Sequence, residues 1–477
     1  MDIRQAKEAL RRTFLAYTER DETGTLCIAP VHQRPVYLMG PPGIGKTAIL
    51  YQLAQELDTN LVCYTMTHHT RQSALGLPRI REKAFGGTTY FATEYTMSEI
   101  LAAVYDRMEQ TGTNTGILFL DEINCVSETL MPAMLQLLQN KQFGTHRIPE
   151  GWLIAAAGNP PAYNESARLF DSATMDRVRL LEVSENYAVW RDYAHARMLH
   201  PAILAYLELN PEHFFCVEPH AHGRSFVTAR GWEDLSQALL SYERLGFPIE
   251  DALFGEFLQH DEISASFSAF FRLFSACREK LDLTAVLTGQ ASDAAPELRA
   301  LRFDGRLAAI EFLLHAIARE LSDYRQEAAL SGSLMSFLAA VQNSKDALAA
   351  AKQMLSRREQ AMALKKELGA LSGEEEAQER RFSKTVHAHL DAEHTLDALL
   401  QARTERQHAV ESACLNLEEH LDNALQFVRD TFGPGHELLI FLTQLKALPG
   451  IAPFLKASAR YAAACAEALP EELEKTL

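Results

Sequence analysis

The sequence has no hydrophobic run long enough to cross a membrane. Its longest apolar segments, Gly116–Leu120 and Leu153–Ala157, have the length of a strand, whereas a membrane-spanning helix needs about 20 apolar residues. The segment Met1–Glu8 reads as the start of a polar helix and lacks the apolar core of a signal peptide. We therefore expect no membrane span and a cytoplasmic protein.

The sequence also lacks paired cysteines. Its seven cysteines are scattered, at positions 27, 63, 125, 216, 277, 414 and 465. Disulfide frameworks belong mainly to small secreted domains with closely spaced cysteines, and this chain has 477 residues. A reducing compartment is therefore expected.

Positive charge is scarce, and no long stripe of lysine and arginine is present. There are 46 Lys and Arg against 63 Asp and Glu, which gives a formal net charge of −17 at pH 7. Such a charge repels a nucleic-acid backbone. Nucleic acid is therefore not expected as the main substrate, although a local basic patch can exist within an acidic total.

The first part of the chain alternates short apolar runs with helical stretches. A helix over Ile3–Tyr17 comes first, and the predicted strands are Val36–Met39, Asn60–Thr65, Gly116–Asp121, Trp152–Gly158 and Arg179–Val183. Near-continuous apolar runs of this length suit parallel strands that are buried on both faces. Helices between such strands predict an α/β fold with a doubly wound parallel sheet over residues 1–184.

The remainder of the chain is predicted to be helical. No strand signal follows Glu185, so residues 185–292 are assigned to a helical domain, with Ala291–Pro296 as a linker. Within 293–477, the apolar residues Val341, Leu348, Leu355 and Met362 recur every seven residues, which is the period of a supercoiled helix. A Gly-Ser break at 369–373 then predicts an antiparallel coiled-coil hairpin over about 335–430.

A glycine-rich phosphate-binding motif follows the first predicted strand. Its residues, taken as nucleotide-binding, are Gly40, Pro41, Pro42, Gly43, Ile44, Gly45, Lys46, Thr47 and Ala48. The motif lies between a strand and the predicted helix Thr47–Leu57, which is the context that distinguishes it from a chance glycine-rich turn. Backbone N–H groups would converge on the phosphates of a nucleotide, Lys46 would reach the outer phosphates, and the Thr47 hydroxyl would bind Mg²⁺.

Two further strands end in polar side chains. The apolar run from Ile117 leads directly to Asp121 and Glu122, and ligands of such sheets bind where the strands end. Asp121 would hold Mg²⁺ through water, and Glu122 would orient and deprotonate the attacking water. Asn159, after the Trp152–Gly158 strand, can hold the same water, and the alternative is a simple turn-forming Asn-Pro. The sequence therefore predicts a hydrolase of nucleoside triphosphates.

These three motifs in this order resemble the AAA+ ATPases. The segment 169–178 is similar to the Asp-Arg-Phe segment of the MoxR-type members, although Val178 replaces the aromatic residue. The resemblance implies that Arg177 reaches into the ATP site of the neighbouring subunit. Arg168 and Arg179 are close enough in the sequence to share or replace that role.

A second resembling segment, 226–233, is similar to the lid signature of this group. The resemblance implies that Arg230 contacts phosphate in its own subunit, and the alternative is an arginine that caps a helix or packs beside Trp232. The segments Leu75–Phe91 and Gln142–Ile148 are similar to the two β-hairpins of the same clade. The resemblance covers roughly residues 35–282.

The resemblance also implies a function. It implies ATP and Mg²⁺ as ligands, a homo-oligomeric ring that is usually a hexamer, and a chaperone-like remodelling activity on a protein partner with a von Willebrand factor A domain. The helical hairpin would dock the partner. The alternative is a nucleic-acid-linked motor that resembles the GTP-dependent restriction motor, and a third possibility is a slow, nucleotide-gated scaffold.

The helical domain contains four potential zinc ligands. His213, Cys216, His220 and His222 are close in sequence, but their spacing matches no usual structural zinc pattern. Zinc is therefore not expected from the sequence.

Overall fold

The computed structural model describes residues 1–68, 76–143, 145–220, 223–290, 295–342, 346–367, 373–393 and 396–468. Leu75 and residues 291–294 of the predicted linker lie outside this part of the chain. The chain divides into two compact units, Met1–Val189 and Trp190–Leu477. Within the described ranges, no helix combines the length and the hydropathy that crossing a membrane requires.

The first unit contains a five-stranded parallel sheet. The strands of this unit are β1 (Val36–Met39), β2 (Asn60–Thr65), β3 (Pro78–Phe85), β4 (Thr88–Tyr95), β5 (Gly116–Asp121), β6 (Gln142–Phe143), β7 (His146–Arg147), β8 (Trp152–Gly158) and β9 (Arg179–Glu182). The central sheet has the order β2-β5-β8-β1-β9, with parallel pairing throughout. The predicted α/β fold of P-loop type with a doubly wound parallel sheet is therefore confirmed.

Helices cover both faces of this sheet. They are α1 (Ile3–Thr18), α2 (Lys46–Glu56), α3 (Glu99–Thr111), α4 (Met131–Asn140) and the single turn α5 (Ser172–Met175). Alternate residues of β5 belong to two different cores: Ile117 and Phe119 pack with α1 and α2, whereas Leu118 and Leu120 pack with α3 and α4. Because β5 is buried on both faces, its polar residues occur only where it ends.

Two β-hairpins project from this unit where the resemblance predicts them. The strands β3 and β4 pair antiparallel, and so do β6 and β7. The β3–β4 hairpin has large exposed apolar side chains, including Ile80, Phe85 and Phe91.

The second unit is largely helical, as predicted, but it also contains a hairpin that the sequence analysis missed. The strands β10 (Cys216–His220) and β11 (Gly223–Val227) pair antiparallel. They are short, and β10 contains Glu218 and Pro219. Neither strand has the apolar alternation that signals a half-buried strand, so the prediction of no strand within 185–292 was wrong here.

The helices of the second unit are α6 (Tyr187–Ala196), α7 (Pro201–Leu209), α8 (Ala229–Leu245), α9 (Asp251–Phe257), α10 (Asp261–Lys280), α11 (Leu283–Leu287), α12 (Ala295–Arg299), α13 (Phe303–Val341), α14 (Ala347–Glu367), α15 (Gly373–Glu393), α16 (Leu396–Phe432), α17 (His436–Ala447), α18 (Ala452–Ala457) and α19 (Ala459–Ala468). The first of these helices starts three residues before the boundary between the units.

The predicted hairpin consists of four helices. We call α13–α16 the helical arm; α13 packs along α16, and α14 packs against α15. Val341 and Leu355 of the seven-residue repeat are buried in its core with Phe337 and Phe382. The arm therefore begins at Phe303, earlier than the sequence repeat indicates.

Candidate nucleotide site

The phosphate-binding loop is shaped by close backbone approaches. A Cβ atom at Gly40 would lie 2.4 Å from the carbonyl oxygen of Val183, so only glycine fits there. Gly43 and Gly45 have φ angles of 75° and 91°, a left-handed conformation that favours glycine. The loop then turns directly into α2, which begins at Lys46 rather than at Thr47.

Lys46 holds the centre of the site. Its side chain is 7% exposed, and its Nζ donates to the carbonyl oxygens of Gly40 (2.8 Å) and Pro41 (2.7 Å) and to Oδ1 of Asn159 (2.9 Å). A buried ammonium group is tolerated only with such partners. The phosphate-binding lysine and the amide after β8, both predicted site residues, are thus brought into direct contact.

The threonine and the first carboxylate also meet. Thr47 Oγ1 donates to Asp121 Oδ2 at 3.0 Å, and Asp121 Oδ1 accepts from the backbone N–H of Glu122 at 3.0 Å. A hydroxyl and a carboxylate that share one point of the site are oxygen donors of the kind that Mg²⁺ prefers. The residues present therefore fit a magnesium ion.

Glu122 adopts a strained backbone conformation. Its φ of 54° and ψ of 35° lie in the left-handed region, which costs about 1–3 kcal/mol for a residue with a side chain. The Thr67 hydroxyl donates to Glu122 Oε2 at 3.2 Å. Thr67, which follows β2, is a site residue that the sequence analysis missed.

Asn124 is a second missed residue, and it links three segments. It has no exposed surface, and its Nδ2 donates to the carbonyl oxygens of Asn159 (2.8 Å) and Arg168 (3.4 Å). Its own carbonyl oxygen accepts from the Arg168 N–H at 2.9 Å. A polar residue three positions after Asp121 was the available signal, but its partners could not be identified without the strand order.

The end of β8 fits closely against this network. A Cβ atom at Gly158 would lie 2.5 Å from both Asn124 Oδ1 and the Tyr37 hydroxyl. Tyr37 is 1% exposed and stacks on Phe170 with 5.0 Å between ring centroids. Burial raises the pKa of Tyr37 well above its usual range, so its hydroxyl stays protonated.

The two carboxylates affect the cysteines beside them. The pKa of Cys63 is raised to about 11, mainly by burial, and the charge of Asp121 contributes. Burial also raises the pKa of Cys125, with further contributions from Glu122 and Asp121. Both thiols therefore stay protonated near neutral pH.

The three arginines that could reach the ATP site of a neighbouring subunit have different surroundings. Arg168 forms an ion pair with Glu128 at 2.6 Å, and Arg179 donates to Thr13 Oγ1 at 2.5 Å. Arg177 is exposed, and no hydrogen bond of its guanidinium is found within the described ranges. Its positive charge helps to lower the pKa of Asp171, after the larger contribution of the Thr174 hydrogen bonds.

Arg230 belongs to the second unit. It is exposed at the second position of α8, and Thr228 caps this helix by accepting from the Gly231 N–H at 3.4 Å. Trp232 is fully buried and donates through Nε1 to the His213 carbonyl oxygen at 3.2 Å. Thr228 therefore supplies the cap, and Trp232 is buried whereas Arg230 is exposed.

Comparison with known proteins agrees with this site. Residues 35–178 match the AAA domain of the dynein-related subfamily. No curated protein sequence matches the chain. The first unit therefore carries a nucleotide-binding AAA domain.

Two solved structures are similar to parts of the chain. A candidate ATPase from Cytophaga hutchinsonii is 16% identical, with a TM-score of 0.23, over 38% of this chain and 46% of that chain. A RuvB mutant from Thermotoga maritima is 15% identical, with a TM-score of 0.26, over 42% of this chain and 51% of that chain. The matches thus span about half the length of these relatives.

Proposed function

We propose that this protein is a MoxR-type remodelling ATPase that hydrolyses ATP within a homo-oligomeric ring and acts on a protein partner. The observation that carries the hydrolytic part is the contact of Thr47 Oγ1 with Asp121 Oδ2 at 3.0 Å. This contact joins the phosphate-binding loop to the carboxylate strand, and Lys46 joins the same loop to Asn159.

Lys46 and the backbone of its loop would bind the phosphates. The Lys46 ammonium now donates to two loop carbonyl oxygens and to the side-chain amide of Asn159, and phosphate oxygens would replace the two carbonyl oxygens with charged acceptors. Mg²⁺ held by Thr47 and Asp121 would neutralise part of the phosphate charge. Asn159 would remain beside Lys46 and orient the attacking water.

Glu122 would act as the general base. Its carboxylate accepts a hydrogen bond from the Thr67 hydroxyl at 3.2 Å, which would hold it in place for this role. A positioned base typically contributes about 10²–10⁴-fold to the rate.

The position of Arg177 supports action across a subunit interface. Arg179 pairs with Val36, where β1 starts, whereas Glu182 pairs with Met39, just before the phosphate-binding loop. Arg179 and Glu182 are three residues apart on the strand, which is about 10 Å. Arg177 precedes Arg179, so it lies still farther from the loop along the chain. An exposed arginine in this position is better placed to reach a neighbour's nucleotide than its own.

The helical arm would recruit the partner, a protein with a von Willebrand factor A domain. Met335, Met354 and Leu415 are exposed on its surface and would contact this partner. ATP binding and hydrolysis in the ring would then change the position of the bound partner.

Two variants test the assignment of the site. Lys46→Ala should lose nucleotide binding, whereas Glu122→Gln should bind ATP and lose about 10²–10⁴-fold in turnover. Binding is measured with a fluorescent ATP analogue and turnover by phosphate release. Glu128→Gln, which changes an exposed carboxylate paired with Arg168, is the control. Near wild-type turnover by Glu122→Gln would refute the assignment.

A nucleic-acid-linked motor is the second candidate, because one face of the β3–β4 hairpin carries Arg79, Arg81 and Lys83 together with Tyr90. Glu94 forms ion pairs with Arg81 (3.5 Å) and Lys83 (2.5 Å), which reduces the positive charge of this face. Fluorescence anisotropy with labelled DNA at physiological salt distinguishes the two candidates. Binding that disappears in an Arg79→Ala, Arg81→Ala, Lys83→Ala variant would favour the motor.

A further inference from the structure

Three potential metal ligands converge where the β10–β11 hairpin meets the start of α10. Cys216 and Glu218 lie two residues apart on β10, so their side chains share one face of the hairpin. His260 is the residue before α10 and is 8% exposed. The ligand atoms of these three residues all lie within 4.8 Å of one another.

The distance between His260 and Glu218 suits a shared ion better than a direct hydrogen bond. His260 Nε2 lies 3.6 Å from Glu218 Oε2, whereas charge-assisted N–H···O bonds are about 2.7–2.9 Å long. Zinc binds nitrogen and oxygen at about 2.0–2.2 Å and sulfur at about 2.3 Å, so that two ligands on one tetrahedral ion lie about 3.3–3.8 Å apart.

We propose that Cys216, Glu218 and His260 form a zinc-binding site in the second unit. The set contains one sulfur, one nitrogen and one oxygen ligand, which suits Zn²⁺ rather than Mg²⁺. Binding would release the thiol proton of Cys216 to solvent and form a Zn–S bond. One thiolate and one carboxylate then balance the two charges of the ion, and the fourth position stays open for water.

The chain already supports these ligands. The Phe226 N–H donates to the Gln259 carbonyl oxygen at 2.9 Å, which holds β11 against the residue before His260. His260 Nδ1 accepts from the Ile263 N–H, but at 3.4 Å. Zinc binding through Nε2 requires a proton on Nδ1. Nδ1 could then no longer accept a hydrogen bond from Ile263, so this long helix-capping contact would be lost.

Such a site would fix the hairpin to α10. The strand β11 leads through Thr228 into α8, which carries Arg230. Zinc would therefore restrain the segment that precedes Arg230. An effect of this restraint on the nucleotide rests on the phosphate contact that the resemblance implies for Arg230, whereas the binding of zinc does not.

The test is metal titration of the chelator-treated full chain without nucleotide. Zn²⁺ is titrated in competition with a chelating dye, and Co²⁺ is used to detect a thiolate-to-cobalt absorption band, which metal at Thr47 and Asp121 cannot produce. We expect one Zn²⁺ per chain and a cobalt–thiolate band. Since even the loss of an outer partner costs about 10–100-fold in affinity, Cys216→Ser and His260→Asn should each weaken binding by at least about 100-fold.

Two features keep the test independent of folding and of ATP hydrolysis. Asparagine is a good helix cap, so His260→Asn should keep α10 intact, and Cys216→Ser is a nearly isosteric second variant. Cys414→Ser is the matched control, since Cys414 lies 4.0 Å from Glu418 but is not part of the site. Absence of stoichiometric zinc, or equal affinity in wild type and Cys216→Ser, would refute the proposal whatever the ATPase activity.

Discussion

The buried side chain of Asn124 donates a hydrogen bond to the main-chain carbonyl of Asn159 at 2.8 Å. Asn124 follows the carboxylate strand β5, and Asn159 follows β8. The same amide group contacts the Arg168 carbonyl oxygen. One side chain, two residues after the proposed general base, therefore connects the main chain of Asn159 with the segment that leads to Arg177.

Replacing Asn124 should separate nucleotide binding from turnover. Asn124→Ala removes the buried donor, which should lower the free energy of unfolding by about 1–3 kcal/mol. Turnover should fall while the ATP dissociation constant changes little, because the variant leaves Lys46 and the phosphate-binding loop unchanged. Denaturant unfolding, phosphate release and nucleotide binding measure the three quantities. Asn164→Ala, which removes a half-buried amide near Cys125, is the control, and equal effects of both variants would contradict a specific role for Asn124.

Hydrolysis should require Arg177 in trans. The transition state spreads negative charge over the γ-phosphoryl oxygens, and an arginine supplied across an interface is worth about 10³–10⁵-fold in related reactions. Arg177→Ala and Lys46→Ala subunits should each be inactive alone, but a mixture should regain activity, because some interfaces combine an intact nucleotide site with an intact arginine. Phosphate release measures the recovery.

The other two arginines provide the controls for that experiment. Arg179→Ala should keep its activity, since its guanidinium is bound to Thr13, and Arg168→Ala should lose only an exposed ion pair with Glu128. Full activity of Arg177→Ala alone, or no recovery in mixed oligomers verified by mass spectrometry, would contradict the role of Arg177.

The helical arm should be removable only in part. Deletion of residues 341–430 would remove most of α16, whose Leu421, Leu425 and Val428 are buried and which packs against several other helices of its unit. That deletion should give insoluble protein. Replacement of 347–393 by a short Gly-Ser linker should instead keep the ATPase activity and abolish partner recruitment. Loss of ATPase activity in a soluble linker variant would show that the arm serves the nucleotide site.

Glu311 should make stability depend on pH. It is 1% exposed in α13, and burial raises its pKa from 4.5 to about 8; the Glu208 charge adds to the rise, whereas Gln444 and Arg191 oppose it. The folded state therefore holds a proton that the unfolded state has released between these two values. The free energy of unfolding should fall as pH rises from about 4.5 to about 8.

A Glu311→Gln variant isolates this effect, because glutamine mimics the protonated carboxyl. Its stability in urea should approach that of wild type near pH 5 and exceed it near pH 8. The buried His195, whose pKa burial lowers to about 4, titrates in both proteins and cancels in the comparison. Glu256→Gln, at an exposed position of α9, is the control. A constant difference between Glu311→Gln and wild type across this range would refute the prediction.

Local patterns predicted the central sheet well. The bounds of β1, β2, β5 and β8 agree with the apolar runs in the sequence. The central strands β5 and β8 are buried on both faces, so they have no polar residue until they end. The rule that such strands deliver side chains to one edge assigned Lys46, Thr47, Asp121 and Asn159 to one site, but it did not predict the direct contacts of Lys46 with Asn159 and of Thr47 with Asp121.

The missed residues depend on strand order and on packing between distant segments. Thr67 reaches Glu122 because β2 is the neighbour of β5, and the sequence does not specify that order. The β10–β11 hairpin escaped prediction because its pairing depends on contacts such as that of Phe226 with Gln259. The helical arm was recognised from its repeat, but the repeat does not extend to Phe303, where α13 begins.

One set of contacts in the helical arm specifies how α14 is aligned with α15. Arg358 of α14 binds both carboxylate oxygens of Glu379 at 2.6 Å, and its guanidinium lies 3.9 Å from the ring centroid of Phe382. Sliding α14 past α15 by one heptad would displace these groups by about 10 Å and break the ion pair and the cation–π contact together. The same three side chains therefore specify the register of α14 on α15, because any slip between the two helices loses both contacts at once.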